Sequence, residues 1–317
     1  MDEDQTNVDT EQERDQKEVF NEALQRVAAG EPLREEHYLQ LTHLAGDRLG
    51  AFKGIWDRFS TAQRLSTMKR LHEHEENDLR MEFNEVYHLA MQDESPELRL
   101  AGIEATIEDK SGWLMGHLME LLERDPDVRV REKAGRALAP FVQAAELGEY
   151  DEEETDELEA LLTRIIRRQQ EPLAVRGAAL EAAGHFTNPE VATEIDDAFR
   201  DDELRLNAIR AMGHSGEPRW LSRLLRVVED SDPEIRLAVA AAFGEIPDQS
   251  SVPALVEMLD DEELNVRLAA IKSLGEHGGE EAREGLAYAF DDKRAEVREA
   301  ATLALAEIDF YEDPLAM

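Results

Sequence analysis

The stretch that decides the fold is "DPEIRLAVAAAFGEI", residues 232–246. A closely similar stretch, "EELNVRLAAIKSLGEH", covers residues 262–277, and a third, "KRAEVREAATLALAEI", covers residues 293–308. Self-similarity at a fixed interval is the signature of repeat architectures, in which each unit packs against its neighbours. The chain is therefore predicted to be a stack of repeats of about 31 residues rather than one globular core.

The copies align on an arginine that follows a branched apolar residue. These anchor arginines are Arg99, Arg131, Arg176, Arg205, Arg236, Arg267 and Arg298. Small residues dominate three and six positions after the anchor, and large apolar residues dominate seven positions after it. These offsets lie along one stripe of an α-helix. The pattern predicts a helix whose small residues let a neighbouring helix approach and whose large residues fill the remaining space.

Another amphipathic segment precedes most anchors, for example at 218–230, 252–261 and 281–292. We call this segment the first helix of a repeat, and the helix that carries the anchor the second helix. An aspartate lies six residues before five of the anchors: Asp93, Asp125, Asp230, Asp261 and Asp292. These aspartates are expected to cap a helix or to meet the arginine of their own or an adjacent repeat. Glycines eight residues after four anchors are interpreted as left-handed residues that end a helix: Gly184, Gly213, Gly244 and Gly275.

One helical hairpin of this kind cannot bury its apolar stripe alone. The predicted fold is therefore all-α, a right-handed α-solenoid (superhelix) of stacked antiparallel helical hairpins. The units that carry this pattern include "DPDVRVREKAGRAL", "DDELRLNAIRAMG", "DPEIRLAVAAAFG" and "NVRLAAIKSLG". They resemble HEAT repeats, in particular the short HEAT-like repeats first associated with phycobilisome lyases. The resemblance covers about residues 85–309.

The domain organisation follows from where the pattern stops. Residues 1–18 carry eight acids against two bases and are predicted to be an acidic disordered tail. Residues 19–84 are predicted to be an N-terminal helical cap or degenerate repeat, residues 85–309 about seven HEAT-like repeats, and residues 310–317 a C-terminal tail. The 45-residue spacing from Arg131 to Arg176 contains an acidic insertion, 146–159, with nine acids and no base. This insertion is either a loop that recruits a basic partner or a solvated linker whose end caps the next helix.

Composition limits the classes of partner. The 317 residues hold 73 acids against 35 bases, for a formal net charge of −38, and no cysteine. Such a charge opposes binding to nucleic acid and to anionic membranes, and predicts a basic or neutral protein partner. Alternatively, the charge serves only solubility. The N-terminus lacks the pattern of a secretory signal, so a cytoplasmic location is expected; the oligomeric state is not specified.

Candidate partner-binding residues are those that point away from the buried stripe of the second helices, together with the acidic insertion. They are Arg136, Glu181, Arg210, Leu237, Leu268, Lys272, Asp151, Glu152, Glu153 and Glu154. No catalytic, cofactor-binding or metal-binding residue is proposed. His72 and His74 are two residues apart and do not share a helix face. His185 and His214 both lie nine residues after an anchor and form either a small patch or two turn residues.

Two functions remain open from the sequence. The first is a non-enzymatic scaffold or adaptor that binds another protein on a curved solenoid surface, with no cofactor implied. The second, implied by the resemblance alone, is a phycobilisome-lyase-like subunit that helps attach or detach a bilin chromophore. Deoxyhypusine hydroxylase has similar repeats but carries His-Glu pairs in its second helices. Here the corresponding pairs are Leu237-Ala238, Leu268-Ala269 and Glu299-Ala300, so that activity is not expected.

Overall fold

The computed structural model describes residues 2–78, 80–106 and 109–312, with side chains described from residue 15 to residue 310 of these ranges. Every regular element in this part of the chain is a helix, so the predicted all-α fold class is confirmed. The chain divides into two compact units, one formed by residues 1–121 and 125–134, the other by residues 122–124 and 135–317. Across the described residues, no helix is sufficiently long and apolar to cross a membrane.

The helices that fall wholly or partly in the first unit are α1 Asp2–Ala29, α2 Glu35–Leu41, α3 Gly46–Trp56, α4 Thr61–Glu75, α5 Asn84–Met91, α6 Pro96–Ala105, α7 Gly112–Arg124 and α8 Val128–Ala137. The second unit continues with α9 Ala139–Glu146, α10 Glu152–Arg167, α11 Leu173–Ala183, α12 Pro189–Phe199, α13 Arg205–His214, α14 Leu221–Leu224, α15 Pro233–Glu245, α16 Val252–Glu257, α17 Leu264–His277, α18 Gly279–Tyr288 and α19 Ala295–Glu312. Short 3-10 turns at Pro218–Trp220, Gln249–Ser251, Met258–Asp260 and Ala289–Asp291 complete the first helices of their repeats.

The start of the chain differs from the predicted disordered tail. Helix α1 begins at Asp2, so residues 2–18 continue the helix that ends at Ala29, and Met1 lies outside the described residues. Glutamate and glutamine are good helix formers, and acidic residues near a helix N-terminus interact favourably with the helix dipole. Further along α1, Phe20, Ala23 and Val27 are buried in the core of the first unit. Their burial holds the helix in place at its C-terminal end.

The acidic insertion, 146–159, is mostly helical and not a loop. Residues 152–159 form the first two turns of α10, and the extra length is taken up by α9 and the short segment 147–151. Asp151 caps α10, because its side chain accepts a hydrogen bond from the Glu154 amide (2.9 Å) while Glu154 faces the Asp151 amide. This arrangement matches the linker-and-cap alternative. At the other end, residues 310–312 belong to α19 rather than to a tail, and 313–317 lie outside the described residues.

In the second unit the second helices of successive repeats pack against one another. Helix α15 packs between α13 and α17, and α17 packs between α15 and α19. Because α11, α13, α15, α17 and α19 carry the anchor arginines, the stripe deduced from the sequence is the one that forms the core. Val266, Ala270 and Leu274 on α17 are all buried, as their offsets from Arg267 predict.

The glycines that follow the anchors have a different role from the predicted one. Gly184 has φ −55°, which is an ordinary helical value. A Cβ on Gly184 would lie 2.7 Å from the Ala211 Cα, and a Cβ on Gly213 would lie 2.9 Å from the Ala242 Cα. The prediction of left-handed helix caps was therefore wrong. Gly184 and Gly213 need glycine because the backbone of the next second helix passes too close for any side chain.

This close approach predicts that a side chain at position 184 destabilises the protein. Gly184→Ala should lower the free energy of unfolding by about 1–3 kcal/mol, because a backbone segment of α13 must move to admit the methyl group. Gly116→Ala in α7 is the matched control, since no atom lies within 4 Å of its Cβ position. It should be neutral or stabilising by about 0.4–1 kcal/mol. Urea denaturation followed by circular dichroism measures both, and equal effects would contradict the packing described for Gly184.

Candidate functional site

The anchor arginines connect consecutive repeats. Arg236 donates to both carboxylate oxygens of Asp261 (2.7 and 3.0 Å) and to the main-chain carbonyl of Asp230 (2.7 Å). In the first unit, Arg99 makes the same pair with Asp125 at 2.6 and 2.8 Å. Each of these aspartates, Asp125 and Asp261, thus binds two arginines. Its main-chain carbonyl accepts from the anchor of its own repeat, and its carboxylate accepts from the anchor of the preceding repeat.

Most other anchors keep the carbonyl half of this arrangement. Arg131, Arg267 and Arg298 donate to the main-chain carbonyl six residues earlier, at 2.7, 2.5 and 2.7 Å. Arg205 does so at 3.2 Å, to Phe199, whereas Arg176 donates to the Ile166 carbonyl at 2.8 Å. An arginine at this position therefore ties the turn between two helices to the helix that follows it.

Arg64 of α4 is an anchor that the sequence analysis missed. Its guanidinium pairs with the carboxylate of Asp93, which is the aspartate six residues before Arg99. Gln63 precedes it where the other anchors have a branched apolar residue, and this difference concealed the repeat. The available signal was weaker: Thr67 and Leu71, three and seven residues after Arg64, are both buried as in the other repeats.

These links are structural rather than available for binding. Arg236 and Asp261 are about one-tenth exposed at their side chains. Burial alone would raise the pKa of Asp261, but hydrogen bonds from Arg236 and from the Glu263 amide outweigh it and leave that pKa lowered. The carboxylate is therefore charged at neutral pH and held by its partner.

Glu181, a candidate partner-binding residue, is buried at 6% exposure. Its carboxylate accepts hydrogen bonds from the Asn207 amide (2.6 Å) and from Arg210 (3.1 Å), and it also pairs with Arg136. Glu181 is therefore not a contact residue, contrary to the sequence-based expectation. Its carboxylate positions two arginines, Arg136 and Arg210, whose side chains are 43% and 37% exposed.

His185 and His214 come together at the ends of α11 and α13. Their rings stack with centroids 4.7 Å apart and planes 7° apart, so they form the small patch that was one of the two alternatives. Burial, helped by the proximity of His214, lowers the pKa of His185 to about 4, which keeps its ring neutral at pH 7. Glu245 lies 4.0 Å from His214. Among the described side chains, no group of three or more histidines and carboxylates could hold a metal ion.

The remaining candidates fall into two groups. Leu237 and Leu268 are half-buried on the outward sides of α15 and α17, and Lys272 is 78% exposed with its ammonium 3.3 Å from Glu276. The acidic candidates Asp151, Glu152, Glu153 and Glu154 are exposed at the start of α10, which is a first helix. The structure thus separates the second-helix candidates from the acidic ones instead of forming one site from both.

A surface hollow of about 750 Å³ runs along α10 and reaches α12. Its lining is mainly charged: Asp156, Glu159, Arg164, Arg167, Arg168 and Glu190. Arg164 pairs with Glu123 and Arg167 pairs with Glu190 and Glu194, so the positive groups are already matched by carboxylates.

Comparison with known proteins agrees with this architecture. A family model described as HEAT repeats matches residues 200–265 and 227–306. No curated protein sequence matches the chain. A structure of Kap95p with RanGDP covers 94% of this chain at 16% identity and a TM-score of 0.52, and a Kap95:Nup1 complex covers 93% at 15% identity and 0.52. The chain spans 47% and 46% of those matched chains, about half their length.

A further similar structure, human deoxyhypusine hydroxylase in complex with glycerol, has 16% identity over 80% of this chain and 92% of that chain, with a TM-score of 0.36. A score this low supports no inference about activity. The Kap95 matches support the fold, and the family model identifies the repeat type. The HEAT-repeat model applies to residues 200–306, and over 94% of its length the chain is similar in fold to Kap95p.

Proposed function

We propose that the protein is a non-enzymatic scaffold that binds another protein on the surface formed by its second helices. The observation that carries this proposal is the distribution of charge within the second unit. The first helices are strongly acidic, with six acids against two bases in α10 and four acids without a base in α12. By contrast, α13 holds two arginines and no acid, α15 one arginine and two acids, and α17 two bases and one acid, whereas the last second helix, α19, is acidic with five acids and one base.

The surface of α13, α15 and α17 therefore combines half-buried leucines with few charges, whereas acidic side chains are concentrated on α10 and α12. Protein interfaces are depleted in charge at their centre and carry a polar rim, so the second helices fit this composition better than the first. The Kap95 structures add support of a general kind, because their names describe Kap95 with other proteins. The lyase-like alternative rests on the resemblance of the repeats alone.

The test is a complex whose footprint can be located. The protein is used as bait in the lysate of its source, a partner that co-purifies in a fixed ratio is identified, and amide hydrogen exchange is compared with and without that partner. We expect protection to rise on α11, α13, α15 and α17. Protection confined to the first helices α10, α12 and α18, or no stoichiometric complex at any salt concentration, would contradict the proposal.

A further inference from the structure

On three consecutive second helices, α13, α15 and α17, one set of corresponding positions contains no carboxylate, although Glu245 and Glu276 follow it one turn later. The positions one, two and five residues after each anchor form it: Leu206, Asn207, Arg210, Leu237, Ala238, Ala241, Leu268, Ala269 and Lys272. We call these nine residues the Leu–Ala patch. Its three leucines are half-buried, Ala238 is buried beneath its centre, Ala241 is exposed, and one cation lies at each end. In a chain of net charge −38, this is an unusual surface.

We propose that the Leu–Ala patch binds a peptide segment of another protein in which apolar side chains are flanked by two carboxylates. The inference rests on the proposed scaffold function and names the chemistry of the partner. It differs from the basic or neutral partner that the net charge predicts. The difference arises because the net charge is a sum over the whole chain, whereas a partner responds to the charges nearest to it.

The acidic first helices do not dictate what binds to the patch. Salt at physiological ionic strength screens exposed charges beyond about 8 Å, and packed helices lie about 8–10 Å apart. Carboxylates on the far side of a first helix are therefore largely screened at the patch. Within the patch itself the charged side chains are Arg210 and Lys272, and the nearest carboxylates on α15 and α17, Glu245 and Glu276, lie one helical turn beyond it.

The guanidinium of Arg210 is held in a fixed position from which it can bind a carboxylate. One of its terminal nitrogens is held by the buried Glu181 at 3.1 Å, which fixes the guanidinium at the surface. A guanidinium has five N–H donors in a rigid fork, so donors remain for a second, exposed carboxylate. A side chain that is already fixed loses less rotamer entropy when it binds. Asn207, which also donates to Glu181, supports the same geometry.

Lys272 supplies the cation at the other end. Its side chain is 78% exposed, and its partner Glu276 lies one helical turn away at 3.3 Å. Exposed pairs with this spacing contribute only about 0.3–0.5 kcal/mol, so an incoming carboxylate can compete with Glu276 for the ammonium. The leucines and alanines between the two cations then cover the apolar part of the peptide.

The helix spacing sets the length of the peptide. Arg210 and Lys272 are two helices apart, which corresponds to about 16–20 Å. An extended peptide advances about 3.3 Å per residue, so its two acidic residues should be about five or six positions apart. A helical peptide advances 1.5 Å per residue and would need about 11–13 positions.

The experiment selects peptides from a phage-displayed library of random sequences, using the full chain as the target. We expect the enriched peptides to combine apolar residues with two acids at one of these spacings. Their affinity, measured by fluorescence anisotropy, should fall at least tenfold for Lys272→Glu and for Ala241→Arg. Lys293→Glu, an exposed turn residue, and Ala306→Arg, an exposed position on α19, are matched controls that should change it less than twofold.

Ala241→Arg is used because it removes no interaction of the folded protein. Arg210→Glu is avoided because it would place a second carboxylate beside the buried Glu181 and could unfold the protein. Thermal unfolding establishes that each variant is folded. Enrichment of basic peptides, or binding that Lys272→Glu and Ala241→Arg leave unchanged, would overturn the patch inference and leave the scaffold function standing. A failure to enrich any peptide would overturn the inference as well. The scaffold function itself would fail only if the lysate experiment also gave no complex.

Discussion

Ala270→Asp is expected to destabilise the protein by about 4 kcal/mol or more, which is enough to unfold many domains. Ala270 is 0% exposed in α17, a helix that packs against α15 and α19 on its two sides. The new carboxylate would occupy a space that fits a methyl group, and it would lose its hydration without gaining a positive partner. Urea denaturation followed by circular dichroism should show a large fall in the midpoint, or no folded baseline at all.

The control for this substitution is Ala241→Asp. Ala241 occupies an outward position on α15, and its side chain is exposed. The same chemical change should cost less than about 1 kcal/mol there, chiefly through the lower helix propensity of aspartate. If Ala270→Asp unfolded at the same urea concentration as the parent protein, the assignment of the buried face would be wrong.

The buried face was predictable from sequence because a stacked repeat must place the same positions in the core every time. Val266, Ala270, Ser273 and Leu274 occupy the offsets deduced from the anchor Arg267, and all four are buried. The pattern is short, local and repeated. A single sequence therefore contains several independent copies of the same packing solution.

The glycines show where sequence reasoning reached its limit. A glycine near the end of a helix satisfies two different requirements, a left-handed backbone or a close approach by a neighbour. The sequence does not distinguish them, since both select against a Cβ. Only the 2.7 Å separation between the Cβ position of Gly184 and the Ala211 backbone shows that the neighbouring helix imposes the choice.

The candidate site was predictable only in outline. Offsets from the anchors identified the outward positions Arg210, Leu237 and Lys272 from their place on the helix. The burial of Glu181 was not predictable, because it depends on Asn207 and Arg136 from two other helices covering its carboxylate. A charged residue is buried when its partners are in place, and partners on separate repeats are not visible in a helical pattern.

Asp261→Ala is the second large effect that we expect, a loss of about 3–5 kcal/mol in the free energy of unfolding. Arg236 is only 7% exposed, and its Nε and one terminal nitrogen donate to the two carboxylate oxygens of Asp261. The substitution removes both of these acceptors. The cost is that of a buried charge left with only the exposed carboxylate of Glu262, 3.5 Å away, and it exceeds the net contribution of the pair. Asp260→Ala, at the exposed neighbouring position, should change stability by no more than about 0.5 kcal/mol.

Two further measurements separate an unpaired charge from simple loss of packing. The double variant Arg236→Met, Asp261→Leu removes both charges and should recover most of the stability lost in Asp261→Ala, because replacing a buried pair by apolar residues is often neutral.

The pKa of Asp261 is lowered in the folded state, so its contribution to stability is complete above the unfolded value near 3.9 and is lost as the pH falls through the lowered folded value. The difference between parent and Asp261→Ala should therefore be constant from about pH 6 to 8 and shrink below about pH 4. A difference that stayed constant into acid, with no recovery in the double variant, would mean that Asp261 acts through packing and not through its charge.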